Sequence, residues 1–230
     1  MQKKLRITAL IVLILFVLLV APIMRYRKES NLTSLPSRFI KGVYASQVDL
    51  DKISSDMETI CHTANDQALH FVILSPSFPD TASWCKNTLV IKSQAKVADI
   101  ELINLQSHLE KIPWLPRVIL ASRYLFNSNY ALLRAIDPPL DSLAKWDLDC
   151  RENRKTGIFS PGNEGGLSMP GITESAPPSL SSMFAILTIY ARIDHELVKD
   201  PGESMEMVID ALKAGHFFNT IEAIAPANGF

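Results

Sequence analysis

Residues 7–24 form an 18-residue stretch in which only Thr8 and Pro22 are not apolar. A helix of that length is roughly 27 Å long, close to the roughly 30 Å hydrocarbon core of a bilayer, so the stretch predicts a membrane span. A cleaved signal peptide has the same basic start and apolar middle. Signal peptidase needs small residues at −3 and −1, whereas the candidate position after Ala21 has Leu19 at −3 and Pro22 just downstream. No cysteine follows that could carry a lipid. The expectation is therefore an uncleaved signal-anchor over 1–28, with its span at 7–24.

Basic residues flank the span on both sides: Lys3, Lys4 and Arg6 before it, and Arg25, Arg27 and Lys28 after it. The charge rule for orientation is nearly balanced. A six-residue leader is easily retained, which favours a cytoplasmic N-terminus and an extracytoplasmic domain; in a bacterium that means the inner membrane and periplasm. A cytoplasmic Arg25/Arg27/Lys28 patch on anionic lipid is the alternative. In a eukaryotic host, Asn31-Leu32-Thr33 would be a glycosylation acceptor.

The anchor also distorts the averages. The chain has 23 basic and 24 acidic residues, but six basic and no acidic ones lie in 1–28, leaving −7 on the rest. A mildly acidic domain of ordinary apolar content excludes a collagen, a disordered tail, a polytopic membrane protein and a basic nucleic-acid binder.

Beyond a linker at 29–45, the spacing predicts a mainly α fold. Leu50, Ile53, Met57, Ile60, Ala64, Gln67 and Phe71 alternate by three and four, with Ser46 and Asp49 as a capping pair. Trp84, Thr88, Ile91, Ala95, Ala98, Leu102, Leu105, Leu109 and Ile112 form a second such seam of about four heptads. The prolines in Ser75-Pro-Ser-Phe-Pro-Asp80 separate them. The expectation is a long antiparallel αα-hairpin (49–74 and 81–112) within a helical domain at 46–155. Its remaining helices run from Pro116 to Ile136, stopped by Asp137-Pro-Pro139, and from about Leu140 to Lys155, ended by Gly157.

Residues 156–178 hold five of the nine glycines and read as a Gly/Pro-rich loop. The rest, 179–230, reads as a C-terminal helical hairpin: a helix from Ser179 to about Val198, then one through Ala214. Asp200-Pro201-Gly202-Glu203 caps the latter at its start, and Gly215 ends it. The pair has the size of one tetratricopeptide-type hairpin, but no second copy follows.

Chemistry-bearing groups are sparse. His62, Asp66 and His70 fall at i, i+4 and i+8, where two imidazoles and a carboxylate could bridge a metal, but on a helix they lie opposite the apolar stripe, on a solvated face. Asp147-Leu-Asp149 matches the aspartate pair of metal-dependent glycosyltransferases only minimally. Asp194-His195-Glu196 and His216 supply acid and base groups, with no serine or cysteine nucleophile tied to them by spacing. Gly166-Leu-Ser-Met-Pro170 lacks the second glycine of a nucleophile elbow, and Gly162-Asn-Glu-Gly-Gly lacks the lysine of a phosphate loop. No catalytic, cofactor-binding or metal residue is assigned, and no cofactor is expected.

The three cysteines are Cys61, Cys85 and Cys150. In the hairpin register Cys61 and Cys85 lie at different heights, which disfavours a bridge between them and leaves Cys150 open to either.

The reading is a single-pass membrane-anchored helical protein whose exported domain acts by protein–protein binding in a membrane or envelope assembly. Partners are a protein, or a second copy met through the hairpin, and the bilayer through residues 7–24; nucleic acid is not one. The alternative is a membrane-anchored hydrolase or transferase with its site near 156–178, using Asp194, His195 or His216.

Overall fold

A computed structural model describes residues 38–46, 56–75, 77, 79–104, 106–107, 136–137, 140–153, 155–160, 180–181, 184 and 187–221. They form a mixed α/β fold in the order β1 (Phe39–Ser46), α1 (Met57–Asp66), β2 (Phe71–Ser75), β3 (Thr81–Cys85), β4 (Thr88–Lys92), β5 (Ile100–Asn104), β6 (Gln106–Ser107), β7 (Ile136–Asp137), α2 (Leu140–Asn153), β8 (Thr156–Ser160), β9 (Leu187–Arg192), α3 (Pro201–Lys213) and β10 (Phe217–Ile221).

Six strands make one sheet in the order β10-β9-β1-β2-β4-β3. Its centre, β1, β2 and β4, is parallel; β9 pairs antiparallel on one side and β3 on the other. Two further pairs form sheets of their own, β5 with β8 in parallel and β6 with β7 antiparallel.

The central strands are buried on both faces. Phe71, Val72, Ile73 and Leu74 are all inaccessible to solvent, so consecutive residues serve two different cores. One face carries Tyr44, Phe71, Ile73, Leu89 and Ile91 against Val208 and Leu212 of α3 and Ile158 of β8. The other carries Val43, Ala45, Val72, Leu74 and Val90 against Ile60 and Ala64 of α1, with Leu180 and Phe184. Parallel strands covered on both sides read as continuous apolar runs rather than alternating ones.

Local chemistry sets the helix ends. Asp56 caps α1, its carboxylate accepting the Thr59 N–H at 2.8 Å; the Thr59 hydroxyl first, and this backbone bond second, hold the carboxyl below its ordinary range. The left-handed Ala68 (φ 52°) turns the chain into β2. Asp200 caps α3 through the Glu203 N–H, with Pro201 in the first turn. Gly215, at φ 74°, ends it: the Gly215 and His216 N–H groups donate back to the Leu212 and Ala211 carbonyls.

The mainly α, coiled-coil expectation is overturned: among the described residues three helices accompany three sheets, and none of those helices is long and apolar enough to cross a membrane. The stretch 7–24, expected as a transmembrane helix, lies outside the described residues. Among the described residues the first half of the expected hairpin is helical over Met57–Asp66; Phe71, its last seam position, begins β2. The second half is two strands of the main sheet and then β5, so its heptad seam took one or two residues from each of several strands. Ser46 ends β1 instead of capping a helix, and most of the expected linker at 29–45 that is described belongs to the central strand β1.

Gly157, expected as a helix cap, is a buried strand residue, and α2 ends at Asn153. The expected helix from 179 to 198 contains β9, and Phe217–Ile221 forms β10, so 179–230 is not a helical hairpin. The helix expected over 116–136 lies outside the described residues, apart from Ile136 in β7. The helix after Asp200-Pro201 stands at Pro201–Lys213.

Candidate functional site

The three central parallel strands end alike, Val43-Tyr-Ala-Ser46, Val72-Ile-Leu-Ser75 and Val90-Ile-Lys-Ser93. Pairing brings these ends into line. Ser46 sits opposite Ser75 in the β1–β2 register. Ser93 lies one step beyond the Leu74/Lys92 pair of β2 and β4, and its N–H still donates to the Leu74 carbonyl at 3.1 Å.

Side chains alternate along a strand, so rows of register partners share a face. On the α3 side the rows are Gly42–Phe71–Leu89, then Tyr44–Ile73–Ile91, then Ser46–Ser75–Ser93. Two apolar layers thus give way to a layer of hydroxyls at the carboxyl edge of the sheet. Exposure is 0% at Ser46, 7% at Ser75 and 0% at Ser93. Among the described residues the buried Ser46 hydroxyl has no hydrogen-bond partner.

Ser160 is brought to the same edge. The Asn219 side chain of β10 joins the β8 backbone, accepting from the Phe159 N–H at 3.2 Å and donating to the Gly157 carbonyl at 2.9 Å. Thr156, at the other end of β8, approaches Gly215, just before β10. β8 therefore runs in the direction of β10, which is also that of β1, since both pair antiparallel with β9. Ser160, the fully buried last residue of β8, lies toward the carboxyl edge.

Asp80 and Lys96 flank the row. Asp80 accepts from the Gln94 N–H at 2.9 Å, and this bond, helped by the Ser93 hydroxyl and Lys96, holds its carboxyl below the usual range. Ser93 Oγ also accepts from the Lys96 N–H at 3.1 Å, and the Lys96 ammonium pairs with Glu206 of α3. In open α/β sheets the carboxyl ends of parallel strands are where ligands bind.

Of the acid and base groups singled out in the sequence, all but Glu196 gather in a cleft at the opposite edge. Asp194, His195 and His216 line one open cleft of about 330 Å³ with Arg192 and Asp210. Arg192 pairs with Phe39, the first residue of β1, so this cleft lies at the amino edge of the sheet. The His216 carbonyl accepts from the Arg192 N–H at 2.7 Å, tying the two walls together. Among the described residues no three His, Cys, Asp or Glu side chains are placed to hold a metal ion.

The His62, Asp66 and His70 trio is divided. His62 and Asp66 form an exposed pair at 2.9 Å on α1. His70 lies beyond the helix, where Nδ1 accepts the Lys41 N–H at 3.1 Å and its own N–H donates to the Lys41 carbonyl at 2.7 Å. Partial burial, together with the Lys41 charge, pushes its pKa below the ordinary imidazole value. Asp149, on α2, lies 3.9 Å from Lys155, which also pairs with Glu101. The glycine-rich segments at 162–166 and 166–170 lie outside the described residues.

Cys61 of α1 and Cys85 of β3 form a disulfide with a Cα separation of 5.8 Å, the bridge that the hairpin register disfavoured. Asn65 binds the same neighbourhood, donating to the Cys61 and Cys85 carbonyls at 2.7 and 3.2 Å. Cys150 is free, its thiol 2.8 Å from the Lys155 carbonyl. Comparison with protein-family models, curated proteins and solved structures finds no match to this chain.

Proposed function

We propose that this chain is a membrane-anchored α/β domain, held outside the cytoplasm, that acts by binding a protein partner in a membrane or envelope assembly. The observation that carries the reading is the Cys61–Cys85 disulfide. Disulfides persist in oxidising compartments and are rare in the cytosol. With the apolar stretch 7–24 in contact with the bilayer, the bridge favours a cytoplasmic N-terminus and an exported domain.

Two features support a protein partner. The net charge of −7 beyond residue 28 disfavours anionic lipid and nucleic acid. On α2, Leu140 and Leu148 are 68% and 61% exposed, two turns apart on one side of the helix. Self-association through a helical hairpin falls with the hairpin itself.

Thiol labelling of intact cells tests the compartment. The full chain is treated with a membrane-impermeant maleimide before and after reduction. Labelling of Cys61 and Cys85 from outside, only after reduction, is the expected result; thiols already free and reached only after lysis would overturn it. For the partner, crosslinked complexes should weaken in Leu140→Asp and Leu148→Asp. Recovery of an uncomplexed monomer from the unsubstituted chain would count against binding.

A second reading, a membrane-anchored hydrolase or transferase, draws on the gathering of Asp194, His195 and His216 in one cleft. Cellular function unchanged in a folded His195→Ala/His216→Ala protein would dismiss it.

A further inference from the structure

Beyond a protein partner, we infer that the Cys61–Cys85 bridge is a site of reversible thiol–disulfide exchange, opened by a dithiol that enters the cleft beside it. Both half-cystines are partly buried: they pack on the core under α1 and also line one open cleft of about 240 Å³ with Glu58, His62, Asn65 and Lys86. Exchange needs a thiolate to reach a sulfur, and accessible bridges are the ones that open and close. Neither the partner nor the compartment proposed above enters into this.

The fold keeps the pair together without the bond. Ile60 and Ala64 bury one side of α1 in the core. The Asn65 amide donates to the Cys85 carbonyl at 3.2 Å and accepts the Asn87 N–H at 3.3 Å, which pins α1 to the β3–β4 turn. The Cα separation of 5.8 Å, within bridging range, is therefore held by packing as well as by sulfur. An opened pair stays poised to reclose.

Charge sets the direction of opening. Lys86 follows Cys85 and lines the cleft, and a cation beside a cysteine stabilises its thiolate. On the Cys61 side, Glu58 stands one turn earlier on α1, and His62 is paired with Asp66. The incoming thiolate therefore attacks Cys61 Sγ and bonds to it, while the Cys61–Cys85 bond breaks and its electron pair leaves on Cys85 Sγ. The second thiol of the dithiol, deprotonated, then attacks the first sulfur of the dithiol in this mixed disulfide and releases Cys61 as thiolate. Two electrons and two protons pass from the dithiol to the bridge, and the dithiol becomes a disulfide.

The test uses the oxidised full chain in detergent under native conditions. Opening at Cys61 and Cys85 by dithiothreitol or by a Cys-x-x-Cys oxidoreductase is followed by maleimide mass tagging, and global unfolding is timed separately by hydrogen exchange. The opening rate should rise in proportion to thiolate concentration and exceed the unfolding rate. Faster opening by the oxidoreductase at equal thiolate concentration would name a protein as the source of the dithiol, and the reverse a small molecule. Glutathione, quenched with acid during the reaction, should be trapped on Cys61. Lys86→Glu should slow opening several-fold, most at low salt. Given oxidised glutathione, the reduced chain should rejoin Cys61 with Cys85 and leave Cys150 free. A rate independent of thiol and equal to that of unfolding would overturn the exchange site. So would an adduct confined to Cys85, unaltered opening in both Lys86→Glu and Lys86→Gln, or a reduced chain that does not rejoin the pair.

Discussion

The ring of Phe71 lies directly over Gly42, its register partner in the neighbouring parallel strand, so closely that a Cβ at Gly42 would sit 2.3–2.4 Å from three ring carbons. This large side chain at the sheet centre thus fits because its neighbour has none. Phe71 is fully buried, with core on every side, so the ring cannot swing away without displacing Ile73, Leu89 or the α3 contacts. Gly42→Ala should destabilise the fold by roughly 1–3 kcal/mol through overpacking. Chemical denaturation measures this, and Gly42→Ala combined with Phe71→Leu should recover part of the loss. A strictly additive double mutant would mean that the two residues do not clash.

Gly157 poses the same problem in β8. A Cβ there would meet Ile103 Cδ1 and Trp146 Nε1 at 2.8 Å, so α2 packs on β8 only over a bare backbone. Gly157→Ala should loosen that contact and raise the fluorescence sensitivity of Trp146 to a soluble quencher. An unchanged quenching profile would argue against the close approach.

The Cys61–Cys85 bridge closes a loop of 24 residues between α1 and the β3 edge. Constraining the unfolded chain over such a loop contributes about 3 kcal/mol in the loop-entropy view. Reduction, or paired Cys61→Ala/Cys85→Ala, should lower the melting temperature by several degrees. The Asn65 hydrogen bonds should still hold α1 to the β3–β4 turn, so unfolding should stay a single transition.

His70 makes stability depend on pH. Its folded pKa is lowered, so the folded state takes up a proton less readily than the unfolded chain, and stability rises with pH over that interval. The contribution is complete above the ordinary imidazole value of about 6.5 and declines as pH falls below it. Protonation would also cost the bond in which Nδ1 accepts the Lys41 N–H. Melting temperature should drop between pH 7.5 and 5.5, and drop less in His70→Gln. Equal slopes for the two proteins would remove His70 from the account.

Asp200→Ala should cost about 0.5–2 kcal/mol by removing the cap that accepts the Glu203 N–H at 2.8 Å. Urea denaturation reads it, and Asp200→Asn should restore most of the loss.

This last helix was fully legible in the chain, because Asp200, Pro201, Glu203 and Gly215 act within a few residues of one another and state both of its ends. The strands were not. Phe71-Val-Ile-Leu74 and Leu89-Val-Ile91 serve cores on both faces, so they carry no period of two, and one or two residues sampled from each strand imitate a heptad. The serine row did leave a trace, a Val-x-x-Ser ending at 43–46, 72–75 and 90–93, but it gains meaning only once the three strands lie side by side. Asp194, His195 and His216 were visible as acid–base groups; that they share a cleft was not, because β9, α3 and β10 had to fold against one another first.

What the sequence by itself determined is local: an 18-residue apolar stretch with basic flanks, an acidic remainder, and the capped helix at Pro201–Lys213. Those properties depend on composition and on neighbours within a turn. The tertiary structure alone decided the sheet order, the Cys61–Cys85 bridge and the alignment of Ser46, Ser75 and Ser93. Parallel strands are joined through crossovers and β9 comes from a distant segment, so, the local β3–β4 hairpin aside, these pairings rest on contacts that no local stretch of the chain contains.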